Sequence, residues 1–117
     1  MKIWNSLKIS IVGLAMAVLP SAAFATPTYS GLNTITYVIA YQSGNVVFSI
    51  ASAPSSPWST CNINHQFVIG TSSASGAAIY QNLIRAQQDA KTVYVNGKGT
   101  CTQLSQIEDV DSIQINP

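Results

Sequence analysis

The run Leu32-Asn33-Thr34-Ile35-Thr36-Tyr37-Val38-Ile39-Ala40-Tyr41, then Gln42-Ser43-Gly44-Asn45, then Val46-Val47-Phe48-Ser49-Ile50-Ala51, decides the fold class. In Leu32–Tyr41 the side chains alternate with a period of two. Ile35, Tyr37, Ile39 and Tyr41 fall on one face and Thr34, Thr36, Val38 and Ala40 on the other, which is a strand and not a helix. Gln42–Asn45 is a turn with a glycine where a positive φ costs little. Val46–Ala51 alternates again, with Val46, Phe48 and Ile50 on one face. Two alternating runs around a short glycine turn predict an antiparallel hairpin. The Tyr37, Ile39 and Tyr41 face is expected to pack under a helix; turned outward, it would form an apolar interface strip.

The remaining elements follow from the flanks. Ala53-Pro54-Ser55-Ser56-Pro57-Trp58-Ser59-Thr60 has loop composition, and its two prolines exclude a central strand. Gln66–Gly70 is a short third strand. The serines and threonine of residues 71–75 offer helix N-caps. Ala77–Ala90 then has helical spacing, with Ile79, Leu83, Ala86 and Ala90 on one stripe and Tyr80 and Ile84 beside it. Thr92–Val95 reads as a strand and Asn96-Gly97-Lys98-Gly99 as a turn. Thr100–Leu104 is expected to return as a strand, Gln106–Asp111 to form an acidic turn, and Ser112–Asn116 to be the last strand. The order is strand-strand-strand-helix-strand-strand. The expected fold is mainly β with one α-helix, a small OB-like antiparallel barrel, which also removes the exposed edges of a small sheet.

Upstream, Lys2 and Lys8 precede an apolar run, Ile9–Leu19, and then Pro20-Ser21-Ala22-Ala23-Phe24-Ala25. Small residues at Ala23 and Ala25 fit signal cleavage before Thr26. The apolar run is short of the roughly 20 residues a membrane helix needs. The expected organisation is a signal peptide at 1–25 and one OB-like domain at 26–117. The expected location is secreted or periplasmic, with no membrane span after cleavage.

Beyond the signal, the cations are Arg85, Lys91 and Lys98 and the acids are Asp89, Glu108, Asp109 and Asp111. A nucleic-acid partner is disfavoured, because phosphate neutralisation needs clustered Lys and Arg. So sparse a charge is permissive for self-association. The two cysteines, Cys61 and Cys101, pair most simply with each other in an oxidising compartment; an intermolecular bond and two free thiols are the alternatives. An internal bond would close a loop of ~40 residues and stabilise by roughly 4 kcal/mol. There is no C-x-x-C motif for redox work. Two cysteines and a distant histidine do not make a zinc site, and no cofactor is expected.

Trp58, in a proline-bounded polar loop, either stacks on a sugar or partner, or folds back and plugs the end of the core. Asn62, Asn64 and His65 are the candidate ligand-binding residues beside it, since their polar groups suit sugar hydroxyls; all three are also ordinary turn formers. His65 is the single histidine after the signal, and no serine sits in a G-x-S-x-G elbow. No catalytic residue is therefore assigned. Glu108, Asp109 and Asp111 match no calcium loop, so a solvated turn is the expected state.

The run Ile79-Tyr80-Gln81-Asn82-Leu83-Ile84-Arg85-Ala86 followed by Lys91-Thr92-Val93-Tyr94-Val95 puts an aromatic-bearing helix directly before a β-branched strand. With the element order, it resembles the binding (B) subunits of bacterial toxins of the enterotoxin, pertussis and subtilase cytotoxin types. That resemblance implies an exported, disulfide-bonded OB-like domain, a homo-oligomer of five subunits and a host glycan as ligand. The expectation is a non-enzymatic exported binding module whose partner is a glycan or a protein surface. The alternative is a monomeric secreted or periplasmic inhibitor or accessory protein.

Overall fold

The computed structural model describes residues 26–117. The expected signal peptide, residues 1–25, lies outside the described residues. The chain forms β1 (Tyr29–Asn33), β2 (Ile35–Ala40), β3 (Asn45–Ile50), β4 (Phe67–Gly70), α1 (Ala74–Gln88), β5 (Val93–Gly97) and β6 (Glu108–Ile115). The six strands make one mixed sheet in the order β1-β5-β6-β4-β3-β2.

The hairpin is present as read. β2 and β3 are antiparallel with Tyr37 opposite Ser49, Val38 opposite Phe48 and Ile39 opposite Val47. Its turn is closed by Tyr41 N–H on the Asn45 carbonyl (2.8 Å) and Gly44 N–H on the Tyr41 carbonyl (3.0 Å). Gly44 sits at φ 96°, a conformation that favours glycine. The inward face is the one carrying Val38, which packs on the core. Tyr37, Ile39 and Tyr41 are exposed at 40, 40 and 51 %. They do not lie under the helix.

Four further expectations are corrected. The first strand is split: β1 ends at Asn33, Thr34 stands alone, and β2 starts at Ile35. Asn33 causes the break, because its side chain accepts the Ser52 N–H at 2.9 Å and donates to the Ser30 and Ser52 carbonyls. The strand expected over Thr100–Leu104 does not form; the segment carries only an isolated bridge between Leu104 and Ile107. Instead it curls around the Asp109 carboxylate. The acidic stretch expected as a turn is the start of β6, and Glu108 and Asp109 are buried. The sheet is not purely antiparallel either, since β4 and β6 run parallel. No hydrogen-bonded ladder joins β1 to β2, the two ends of the strand order.

The core is Val46, Phe48, Ile50, Phe67, Ile69, Leu83, Ala86, Val93, Val95, Val110 and Ile113. Each of these side chains larger than alanine gives roughly 1.5–3 kcal/mol on burial. The Phe48 and Phe67 rings stack at 5.5 Å. Helix α1 starts at the Ser73 N-cap, whose hydroxyl accepts the Gly76 N–H at 3.0 Å. Gly76 lies against the Gly70 carbonyl so closely that a Cβ there would collide with it; only glycine lets the helix sit this near β4. Leu83 and Ala86 are the helix residues driven fully into the core. Cys61 and Cys101 form the internal disulfide, Cα–Cα 6.0 Å, across a separation of 40 residues. It ties the loop before β4 to the loop before β6. Among the described residues, no helix is long and apolar enough to cross a membrane.

Candidate functional site

The loop between β3 and β4 holds all four residues singled out for ligand binding, and the structure sorts them into two pairs. Trp58 and His65 come together as a parallel stack, ring centroids 4.5 Å apart and 6° from coplanar. Trp58 also meets Phe67 at 5.7 Å, so it packs on the core from its margin and His65 covers it. A sugar would have to displace His65 to stack on that ring. Asn62 is buried and committed to the fold. Its Oδ1 accepts the Gln66 N–H at 3.1 Å and its Nδ2 donates to Glu108 at 3.3 Å. Asn64 is exposed, and its backbone N–H donates to the Gln106 carbonyl at 3.1 Å. These contacts make the loop a folded lid on the core.

Two carboxylates that sequence reading placed in solvent are buried, Glu108 beneath the lid and Asp109 beside the loop after β5. Glu108 has no exposed surface. Its Oε2 accepts the backbone N–H of Thr28 (2.9 Å) and of Gly99 (3.0 Å), and its Oε1 accepts from the Thr28 hydroxyl and from Asn62. The Thr28 hydroxyl in turn accepts the Ser59 N–H at 2.8 Å. One buried carboxylate thus ties the start of the domain, the lid and the turn after β5. A buried charge is tolerable only with such a full set of donors. Asp109 does the same for the next loop. It accepts from the Thr100 hydroxyl (2.7 Å), the Thr102 N–H (2.9 Å) and hydroxyl (2.7 Å), and the Gln103 N–H (3.1 Å). Burial raises its pKa, but the hydrogen bonds from Thr102, Thr100 and Gln103 outweigh burial and hold it below the ordinary aspartate value. The nearby glycines and threonines were the only signal for this, and they are equally at home in a turn.

A different surface is open to a ligand. On the outer face of β1, β5 and β6, strand register sets out two rows. Tyr29 stands opposite Asn96, and Asn96 opposite Ser112; Leu32 stands opposite Tyr94, and Tyr94 opposite Gln114. A bulge in β1 makes this possible. The register shifts between Tyr29 and Leu32, with Gly31 at φ 65°, so both side chains face outward although three positions apart. Tyr29, Leu32 and Tyr94 are exposed at 48, 52 and 37 %. Asn96 Nδ2 donates to the Ser112 hydroxyl at 3.0 Å, which fixes the amide and leaves its oxygen free of that bond. A cleft of about 480 Å³ opens beside Tyr29, lined also by Asn96, Lys98, Thr100 and Asp111. Lys98 and Asp111 also border a second depression of about 300 Å³ towards the start of α1.

The arrangement offers aromatic faces, a fixed amide, a hydroxyl, an ammonium and a carboxylate on one rigid sheet surface. Tyr94 and Asn96 could be placed there from the alternation with Val93 and Val95. Tyr29 could not, because it lies before the bulge. Searches against protein-family models, curated proteins and solved structures find no match for the chain.

Proposed function

We propose that this protein is an exported, non-enzymatic binding module that takes a saccharide on the outer face of β1, β5 and β6. The observation that carries the reading is the Tyr29 cleft. A pyranose ring needs a flat apolar partner for its C–H face and polar groups in the plane of its hydroxyls. Tyr29 supplies the first. Asn96, Lys98 and Asp111 supply donors and acceptors of both signs, which suits a neutral polyol better than a simple anion. The platform is made of strands, and such sites hold their geometry more closely than loops do.

The chemistry of the other polar groups favours binding over turnover. His65 is stacked on Trp58, and Glu108 and Asp109 are each surrounded by hydrogen-bond donors. The internal disulfide supports export to an oxidising compartment. Support for an OB-type barrel comes from Thr34, the single residue between the two ends of the strand order. Flanking Cα atoms two peptide steps apart are at most about 7 Å from each other, so β1 and β2 behave as halves of one bent strand. Merging them gives the five-strand order with a helix between the third and fourth strands, the order on which the toxin-subunit resemblance rests.

The experiment is a glycan-array screen of the purified, oxidised protein, repeated with Tyr29→Ala and Asp111→Asn. Both side chains are exposed, so the variants should fold. Saccharide binding lost by about tenfold or more in both supports the site, since aromatic stacking and one charged hydrogen bond are each worth ~1–3 kcal/mol. Binding that survives both variants, or no binding to any saccharide, rejects it.

A further inference from the structure

The Tyr29 cleft does not stop at its own rim. Lys98 and Asp111 line it, and the same two residues line the depression beside α1. The two spaces therefore meet at these two exposed side chains. A bulge puts Asp111 there. The β5–β6 register steps from Asn96 opposite Ser112 to Gly97 opposite Val110, which leaves Asp111 without a partner across the ladder. Bulges of this kind re-aim a side chain out of the strand's alternation. Lys98 is fixed over the same strand, because its backbone N–H donates to the Asp109 carbonyl at 2.8 Å.

One loop walls both spaces. Thr100 lines the Tyr29 cleft, and Thr102 and Gln103 line the depression. All three are held by the Asp109 carboxylate, through the hydroxyls of Thr100 and Thr102 and the backbone N–H groups of Thr102 and Gln103. The wall is thus anchored to β6. Gln103 then reaches β4: a Cβ on Gly70 would meet its side-chain amide at 2.9 Å, so glycine at 70 is what leaves that amide room. The amide makes no hydrogen bond within the protein among the described residues. Ser75, exposed, and Ile79, half-buried, line the same depression from α1. It therefore holds an unpaired amide, a hydroxyl and an apolar wall. Its volume of about 300 Å³, beside about 480 Å³ for the cleft, is on the scale of a small-ligand pocket.

We infer that the ligand is an uncharged oligosaccharide of two or more units, which lies on Tyr29 with one unit and crosses the rim at Lys98 and Asp111 to rest the next against Gln103, Ser75 and Ile79. The inference rests on the saccharide reading of the Tyr29 cleft and adds the length and direction of the chain. The rim selects the chemistry. The Lys98 ammonium only donates and an ionised Asp111 only accepts, whereas a sugar hydroxyl does both and serves either. A phosphate or carboxylate at the rim would satisfy Lys98 and be repelled by Asp111. The second space repeats the first in kind, with apolar surface for C–H groups and polar atoms for hydroxyls.

The test is amide chemical-shift titration of the purified, oxidised protein with the mono-, di-, tri- and tetrasaccharides of glucose, galactose and N-acetylglucosamine, repeated with Gln103→Ala and Tyr29→Ala. Gln103 is exposed and its bond to Asp109 is a backbone one, so the first variant should fold. In at least one series the longer sugars should bind about tenfold or more tighter than the monosaccharide. Their shifts should spread from Tyr29 and Asn96 to Ser75, Gly76 and Gln103. Gln103→Ala should weaken the longer sugar by about fivefold and leave the monosaccharide unchanged; Tyr29→Ala should weaken both. Equal affinity at every length, with shifts confined to the Tyr29 cleft, overturns the inference and leaves the saccharide reading standing. A gain with length whose added shifts fall on Leu32, Tyr94 and Gln114 also overturns it, because the chain then runs along the strands instead. Binding that Tyr29→Ala does not weaken, or no saturable shift with any series, overturns both.

Discussion

Gly97 lies directly against the Glu108 carboxylate: a Cβ on Gly97 would collide with Oε2 of that buried side chain. The glycine is there because of the carboxylate, and the carboxylate is there because the Thr28, Gly99 and Asn62 donors need an acceptor. Gly97→Ala should destabilise the fold by about 3 kcal/mol, the range for overpacking and for disturbing a buried hydrogen-bonded charge. Glu108→Gln should cost a similar amount. Either orientation of the amide aims its NH₂ at groups that are themselves donors. Urea unfolding of both variants checks this. A loss below about 0.5 kcal/mol in either would mean that the carboxylate is not the knot described.

The pH dependence should come from Asp109. Its folded pKa lies below the unfolded value because the hydrogen bonds of Thr102, Thr100 and Gln103 overcome the effect of burial. A group depressed on folding contributes stability that is present above the unfolded pKa. That stability is lost as pH falls through the folded pKa. The protein should therefore weaken as pH drops below about 4. Asp109→Asn should be less stable at neutral pH and show a shallower acid limb. Unfolding midpoints measured from pH 7 down to 2 decide it; parallel acid limbs in the two proteins would contradict the assignment.

The stack of His65 on Trp58 makes an asymmetric prediction. Trp58→Ala removes the ring that meets Phe67 and should cost about 2–4 kcal/mol, because a large side chain at the edge of the core is lost. His65→Ala removes only the exposed cover and should cost under about 1 kcal/mol. It should also shift Trp58 fluorescence to longer wavelength as water reaches the ring. Loss of saccharide binding in His65→Ala with no loss in Tyr29→Ala would move the site to the lid.

The end of α1 offers a stabilising change. Ala90 sits at φ 53°, just past the Asp89 C-cap, and the Lys91 N–H closes on the Ala86 carbonyl at 2.8 Å. Helices usually place glycine in this left-handed position. Ala90→Gly should therefore raise stability by ~0.5–1 kcal/mol. A fall in the thermal midpoint would show that the Ala90 side chain makes a contact worth more than the backbone strain.

These residues also show what the sequence can and cannot convey. The β2–β3 hairpin was legible because alternation and a glycine turn are local signals. The helix was legible for the same reason, although it begins at Ala74 rather than Ala77. The disulfide followed from there being two cysteines behind a leader that reads as an expected export signal. Which face of β2 turns inward was not legible, because Val38 and Ile39 are equally apolar and only tertiary packing chooses between them. The buried acids were hidden for a different reason. Glu108 is satisfied by donors as distant in the chain as Thr28 and Asn62, and nothing local reveals a carboxylate that will find its donors elsewhere; the donors to Asp109, Thr100, Thr102 and Gln103, are close in sequence, but such a stretch reads equally well as a solvated turn. The open site was missed alongside them, since Tyr29, Asn96, Lys98 and Asp111 meet only through strand register.

The most direct test of the saccharide platform is amide chemical-shift mapping of isotope-labelled protein. A panel of neutral, N-acetylated and acidic monosaccharides would be added in turn at millimolar concentration. The account predicts saturable shifts clustered at Tyr29, Tyr94, Asn96, Lys98 and Asp111, with the lid residues Trp58–Gln66 unmoved. Shifts confined to Trp58, Asn64 and His65, or no saturable shift with any sugar, would contradict it.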